Sequence, residues 1–155
     1  DRLAGLVLRR HRLIELFLVE VMGMSWAEVH DEAEHLEHAV SDRLIGRMDE
    51  MLGFPSVDPH GDPIPNADGG VHERSYHSLA DCPLGVPVRV ARIADQNADF
   101  LRFLEQSALV PGQVLVVLSR DTAADSVAVQ GTDAPQLVIG ARAASKVLVD
   151  TTPAR

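Results

Sequence analysis

The stretch from His30 to His38, HDEAEHLEH, concentrates the side chains that bind divalent cations. On a helix each residue advances about 100° around the axis, which puts four of these side chains on one arc. The four are His30, Glu34, Glu37 and His38. A second imidazole–carboxylate pair, His11 and Glu15, has i, i+4 spacing on the preceding predicted helix. Mixed nitrogen and oxygen donors of this kind suit first-row divalent metals.

A solvated acidic helix face with i, i+4 pairs is the competing interpretation. The donors border an apolar stripe on the same helix, and that stripe consists of Trp26, Val29, Ala33, Leu36 and Val40. Two His/Glu helices joined by a short turn can face each other, which favours metal, but spacing alone leaves both interpretations open. Because no cysteine lies among the donors, a structural zinc site is disfavoured and harder ions such as Mn²⁺ or Fe²⁺ are favoured.

Two amphipathic helices must position these donors. Apolar residues at helical spacing predict the first helix over residues 2–22, ended by Gly23. The sequence begins inside this pattern, which predicts a helix without an N-terminal cap and suggests a fragment of a longer protein. Ser25 with Glu28 matches a capping box, so we expect the second helix to start there and to run to about Val40.

A third helix follows at once, with Ser41 as its predicted cap and Gly53 at its end. Helices separated by so few residues must pack as a small antiparallel cluster. The third helix carries one apolar face, formed by Leu44, Ile45, Met48, Met51 and Leu52. This face is either internal core or a dimer contact, and the sequence leaves both open.

The second part of the chain changes period. Residues 54–66 are rich in proline, glycine and aspartate and predict an ordered turn-rich segment, which a linker over 67–86 follows. Three histidines of this region are expected in solvent: His60, His72 and His77. Over residues 87–152, short alternating runs such as QVLVVLSR, SVAVQG and KVLVDT predict strands, with a short helix over 97–106. The fold class expected is α+β, a three-helix domain over 1–66 followed by a small β-barrel.

Composition narrows the function classes. A formal net charge of −9 argues against nucleic-acid binding by this chain alone. No apolar run is long enough for a transmembrane helix, so we expect none, and we do not expect the first residues given, DRLAGLVLRRHRL, to be a signal peptide. The single cysteine, Cys82, expected to be a partly buried loop thiol, fits a reducing, cytoplasmic compartment. No phosphate-binding glycine loop, nucleophile elbow or H-E-x-x-H motif supports an enzyme.

Three segments, RRHRLIELFL, VHDEAEHLEHAVSDRL and DPHGDPIP, resemble the diphtheria-toxin-repressor and manganese-transport-regulator family in order, spacing and residue type. The match covers about residues 2–66, and residues 85–150 are more weakly similar to the family's SH3-like (FeoA-like) domain. The resemblance implies a cytoplasmic, homodimeric transcription repressor activated by Fe²⁺ or Mn²⁺. It implies no enzymatic activity, small-molecule substrate or membrane association.

The resemblance also implies a set of metal ligands. One site, often called ancillary, corresponds to His11, Glu15 and His30, and the primary site corresponds to Glu34, Glu37 and His38. The SH3-like domain offers Gln96 and Asp99 as further ligands of the ancillary site. Iron-type members tend to have cysteine at the position of Glu34, so this sequence looks manganese-like. Other divalent ions such as Zn²⁺, Co²⁺ and Cd²⁺ are expected to substitute in vitro.

The family's N-terminal winged helix-turn-helix has no counterpart in this sequence, which starts where that domain would end. We therefore expect the chain to bind metal and dimerise, and to meet operator DNA only through a domain that it does not contain. Two alternatives use the same helices: a di-metal enzyme, and a module that binds metal without regulating transcription or binds none.

Overall fold

The computed structural model describes residues 1–151, which form two compact units. The first unit ends at Arg74 and the second begins at Ser75, inside the stretch 67–86 expected to be a linker. The first unit is helical and the second is built on an antiparallel sheet, so the predicted α+β class is confirmed.

Three helices make up the first unit. They are α1, Arg2–Glu20; α2, Val29–Glu37; and α3, Asp42–Met51. Their apolar faces meet in one core, because the residues recur every three or four positions along each helix. The buried members are Leu13, Ile14, Leu18, Val29, Ala33 and Ile45. Burial of these faces stabilises helices that are too short to persist alone in water.

The starts of α1 and α2 differ from the sequence expectation, whereas the start of α3 agrees with it. Helix α1 does have an N-terminal cap, because the carboxylate of Asp1 accepts hydrogen bonds from the amides of Leu3 and Ala4 at 2.8 and 3.1 Å. Helix α3 is capped by the hydroxyl of Ser41, as predicted.

The capping box predicted at Ser25 is wrong. The Ser25 hydroxyl accepts from the amide of Ala27, two residues on, and its carbonyl accepts from the amide of Glu28. This local bonding closes a turn and delays α2 until Val29, because serine competes for backbone amides in non-helical conformations as well as at helix starts. The helix also ends at Glu37, three residues before the predicted end.

The second unit contains a six-stranded sheet and two short helices. The strands are β1, His77–Ser78; β2, Val88–Ile93; β3, Val114–Asp121; β4, Ser126–Gly131; β5, Gln136–Gly140; and β6, Val147–Thr151. The helices are α4, Ala98–Gln106, and α5, Ala141–Ser145. The strand order is β1-β6-β2-β3-β4-β5, and every neighbouring pair is antiparallel.

The alternating runs gave correct strands because one face of this sheet is buried, as at Val88, Val90 and Val117. Register shifts between Val90 and Arg92, and between Val117 and Ser119, bend the sheet. Strand β1 and helix α5 were not predicted. Cys82 is fully buried rather than partly buried. Among the described residues, no helix has the length and apolar character needed to span a bilayer.

Candidate metal centre

The His11 imidazole, on α1, is the centre of the predicted donor set. Its Nε2 lies 3.0 Å from Oε1 of Glu15 and 3.2 Å from Nδ1 of His30 on α2. Its Nδ1 lies 2.7 Å from Oε2 of Glu37, also on α2. Both ring nitrogens are therefore engaged, and the ring links the two helices. This supports the expectation that the two His/Glu helices face each other.

Three of these donors converge closely enough for one ion. Ligand atoms of His11, Glu15 and His30 all lie within 4.8 Å of one another. Metal–nitrogen and metal–oxygen bonds of about 2.1 Å place neighbouring ligands about 3 Å apart when they meet at a right angle. The spacings at His11 Nε2 match that value. The Glu37 carboxylate behind Nδ1 would orient the ring, as an outer-shell partner does for a metal-binding histidine.

The electrostatics of His11 describe a site that attracts positive charge. Burial lowers the pKa of His11, but hydrogen bonds and the negative charges of Glu15 and Glu37 outweigh it and raise the pKa to about 9. In the metal-free protein at neutral pH, His11 is therefore protonated, and its positive charge lies at the position where a divalent cation would bind.

The second predicted group, Glu34, Glu37 and His38, is more open. Oε1 of Glu34 lies 3.2 Å from Nε2 of His30, and Oε1 of Glu37 lies 3.6 Å from Nε2 of His38. His38 follows the last helical residue, and its side chain is 83% exposed. Within residues 1–151, these three side chains do not converge within 4.8 Å as the His11 group does.

The two candidates from the second unit lie at the start of α4. Gln96 precedes the helix, and Asp99 is in its first turn. The Asp99 carboxylate accepts a hydrogen bond from Arg102 at 3.1 Å, and its side chain is 93% exposed. Their assignment as metal ligands stays a prediction.

The structure contains a buried cluster of Glu15, Asp58 and His60 that was not predicted from the sequence. His60, expected in solvent, is 1% exposed, and that expectation is wrong. The turn places it inside, because Oδ1 of Asp58 accepts from the amides of His60 and Asp62, both at 2.9 Å, and folds the segment back. Nε2 of His60 then donates to the carbonyl of Trp26 at 2.8 Å, and the two rings stack.

The remaining polar atoms of this cluster face one another. Nδ1 of His60 lies 3.9 Å from Oε2 of Glu15 and 3.8 Å from Oδ2 of Asp58. Within the part of the chain that the structure describes, these three buried atoms have no hydrogen-bond partner. Buried carboxylate oxygens without a hydrogen-bond partner are costly, and a cation between the three atoms would offset the cost.

Glu15 belongs to both groups, since the trio of Glu15, Asp58 and His60 also lies within 4.8 Å. Burial lowers the pKa of His60, whereas Asp58, the Trp26 carbonyl and Glu15 raise it, and the net shift is upward. The only sequence signal for this trio was the D-P-H-G turn itself, in which a side chain of Asp58 bonds the backbone two residues on.

Comparison with known proteins supports the same region. The family model for the metal binding and dimerisation domain of iron-dependent repressors matches residues 1–66, and the FeoA domain model matches residues 77–151. The iron-dependent repressor IdeR of Mycobacterium tuberculosis is 32% identical over an alignment of 127 residues that covers 74% of this chain and 55% of that protein. The diphtheria toxin repressor of Corynebacterium efficiens is 40% identical over an alignment of 100 residues that covers 61% of this chain and 43% of that protein.

A solved structure of a manganese-dependent transcriptional repressor in complex with manganese has a TM-score of 0.89 and 44% identity. The match covers 97% of this chain and 72% of that one. The chain spans about half the length of the curated IdeR relatives it matches. The helical donors, the FeoA-type sheet that follows them and this long structural match confirm the resemblance: the chain belongs to the diphtheria-toxin-repressor and manganese-transport-regulator family of metal-dependent repressors.

Proposed function

We propose that this chain is the metal-sensing and dimerisation part of a transcriptional repressor that responds to Mn²⁺ or Fe²⁺. The observation that carries the proposal is the His11 imidazole, which contacts Glu15 of its own helix and joins α1 to α2 through His30 and Glu37, at 2.7–3.2 Å. Buried carboxylates with unpartnered oxygens lie beside it. The role is regulatory rather than enzymatic, and the protein acts in the cytoplasm.

Three donor groups take part in this proposal. His11, Glu15 and His30 hold one ion, and Glu34, Glu37 and His38 hold another, with the remaining ligands of this second site supplied from outside this chain. The buried trio of Glu15, Asp58 and His60 can hold a further cation that shares Glu15. Gln96 and Asp99 are proposed as additional ligands of the His11 site. Oxygen and nitrogen donors without cysteine favour Mn²⁺, with Fe²⁺ as the second choice.

A bound cation would supply positive charge that cross-links the donors of α1 and α2. The residues do the rest: Glu37 orients His11, and His30 connects the His11 group to Glu34. Metal shifts the arrangement of domains only by the difference in its affinity for the two arrangements. A DNA-binding domain outside this chain would then meet operator DNA in one of those arrangements, and two such domains in a dimer would match a palindromic site.

The homodimer is proposed on the exposed part of the apolar face of α3, since Ile45 of that face is buried in the core and Met48 and Leu52 pack against it. Leu44 and Met51 on this helix are 53% and 69% exposed in the single chain. Exposed apolar residues that cluster in this way form an association surface. Sedimentation at tens of micromolar should therefore give a dimer, and a monomer in both the presence and the absence of Mn²⁺ would contradict this part of the proposal.

Calorimetric titration of the metal-free chain with Mn²⁺ tests the metal sites. His30→Ala should weaken binding by more than the roughly 10–100-fold typical of an outer-shell change. His35→Ala is the matched control, since His35 is an exposed histidine of the same helix outside all three donor groups. Identical isotherms for wild type and His30→Ala would overturn the site. Failure of wild type to bind Mn²⁺, Fe²⁺ or Zn²⁺ would overturn the function.

A further inference from the structure

Helix α2 ends in a way that its two neighbours do not. Helices α1 and α3 are soon followed by glycines with positive φ, Gly23 at 70° and Gly53 at 76°. Such residues let the chain turn back on the last carbonyls of a helix. After α2 the sequence runs from His38 to Ser41 without glycine, and none of these four described residues has positive φ. The carbonyl of Leu36 accepts from the amides of Ala39 and Val40, so the carbonyl of Glu37, the last residue of the helix, is the one that needs another donor.

Arg10 of α1 supplies that donor. Its Nη2 and Nε donate to the carbonyl oxygen of Glu37 at 2.7 and 3.3 Å, and Nη2 also donates to the carbonyl of Val40. Nη1 donates to the carboxylate of Asp42 at 2.8 Å, at the start of α3. One planar guanidinium therefore joins three helices, a geometry that a lysine ammonium cannot reproduce.

The position of this contact bears directly on the donor groups. Glu37 is the last residue of α2, and its carboxylate reaches the ring of His11, the residue next to Arg10. Arg10 thus holds the main chain of Glu37 while His11 holds its side chain. Because α2 has only nine residues, its last turn is prone to fraying when its carbonyls lose their partner.

From these contacts we infer that Arg10 is a positioning residue for metal binding, and that it acts through the backbone of Glu37. The inference rests on the proposed function. The charge of Arg10 does not oppose a nearby cation strongly, because the carboxylate of Asp42 and the negative end of the α2 dipole offset it. Its main effect is therefore to fix Glu37 and the adjoining His38.

Arg9 offers a matched control. It adjoins Arg10 in sequence, its side chain is 13% exposed against 21% for Arg10, and its Nη2 also pairs with an aspartate of α3, Asp49, at 2.8 Å. In the described part of the chain, the carbonyls at the end of α2 receive hydrogen bonds from Arg10 and none from Arg9. The variants Arg10→Met and Arg9→Met each remove a guanidinium of similar burial, so their difference isolates the contact with α2.

Two measurements on the full chain, made after circular dichroism shows that both variants fold, test the inference. In the metal-free protein, amide exchange at Ala39 and Val40 should be faster in Arg10→Met and unchanged in Arg9→Met, since both amides donate to Leu36 within this last turn. In Mn²⁺ titrations, Arg10→Met should bind roughly tenfold more weakly, Arg10→Lys should fall between it and wild type, and Arg9→Met should stay within about twofold of wild type.

Each outcome decides the matter. Equal Mn²⁺ affinity in Arg10→Met and Arg9→Met, with wild type binding normally, would overturn the role of Arg10 and leave the proposed function standing. Unchanged exchange at Ala39 and Val40 in Arg10→Met would also overturn it. A wild-type chain that binds no metal would end the proposed function, and the positioning role would end with it.

Discussion

The two donor groups that share Glu15 differ in how the chain builds them. The group of His11, Glu15 and His30 stands on two helices and remains partly open, with the His30 side chain 47% exposed. The trio of Glu15, Asp58 and His60 is buried, and a turn supplies two of its three members. The open group can exchange protons and ions with solvent, whereas the buried group must be satisfied when the chain folds. The first therefore suits sensing, and the second suits holding the sensor together.

The largest effect should come from Glu15, the residue common to both groups. Glu15→Gln removes a carboxylate from each, so Mn²⁺ affinity should fall by more than the roughly 100-fold upper range of outer-shell changes. Glu20→Gln, an exposed carboxylate of the same helix, is the control and should leave affinity unchanged. Calorimetry measures both. A loss of tenfold or less for Glu15→Gln would show that the groups do not depend on this shared residue.

Substitution of His60 separates the two groups. In His60→Gln, the buried trio loses its nitrogen donor while the His11 group keeps all of its side chains. We expect fewer ions bound per chain by metal analysis, and a free energy of unfolding lower by about 3 kcal/mol, because two buried carboxylates remain without a cation. His72→Gln, a histidine outside all donor groups, is the control. Unchanged metal content with a loss of stability would assign His60 a structural role alone.

The two donor groups also differ in how much of each could be predicted from the sequence. Helical period pairs His11 with Glu15 and His30 with Glu34, each four residues apart, and the short turn between the helices lets the pairs face each other. The grouping of His11, Glu15 and His30 in one site was implied by the family resemblance. The burial of His60 was not predicted, because it depends on which backbone amides donate to the Asp58 carboxylate, and a periodic pattern does not contain that information. The capping box predicted at Ser25 was wrong for a similar reason, since the Ser25 hydroxyl accepts a hydrogen bond from the nearer amide of Ala27.

The second unit repeats this lesson. Strands β2 to β4 could be predicted because their apolar and polar residues alternate. Strand β1 contains only His77 and Ser78, which is too short to show a period, and it forms by pairing with the edge of β6. Cys82 was misjudged because its burial depends on Arg120, a residue far along the chain whose guanidinium donates to the carbonyls of Leu79 and Cys82. Local pattern predicts elements, and contacts between distant residues decide what lies inside.

Both donor groups contain a histidine whose pKa is raised, so the stability of the metal-free protein should fall as the pH rises. In the metal-free protein, the folded-state pKa of His11 is about 9 against 6.5 for an ordinary histidine. Its stabilising charge is therefore fully present below about pH 6.5 and is lost as the pH rises towards 9. Unfolding in urea with a chelator present should show stability falling across this window, and His11→Gln should reduce the fall to the part that His60 contributes.

The same proton must leave when a cation binds. Mn²⁺ binding near pH 7 should therefore release protons and tighten as the pH rises. Calorimetry in two buffers of different ionisation enthalpy measures the number released. A binding enthalpy that is equal in both buffers would contradict a protonated His11 in the metal-free state. His60→Gln, which leaves the His11 group intact, should still show the release.

The smallest effect is expected from the second unit. If Asp99 and Gln96 add ligands to the open group, then changing both to alanine should lower Mn²⁺ affinity by less than about tenfold, since His11, Glu15 and His30 remain. Because Asp99 is paired with Arg102 in an exposed helix turn, any gain in metal binding must exceed the small energy of that surface pair. Glu105→Gln, an exposed carboxylate of the same helix, is the control. Identical Mn²⁺ isotherms for the double variant, Glu105→Gln and wild type would confine the metal ligands to the helical unit, and the open group would then have to draw its remaining ligands from water.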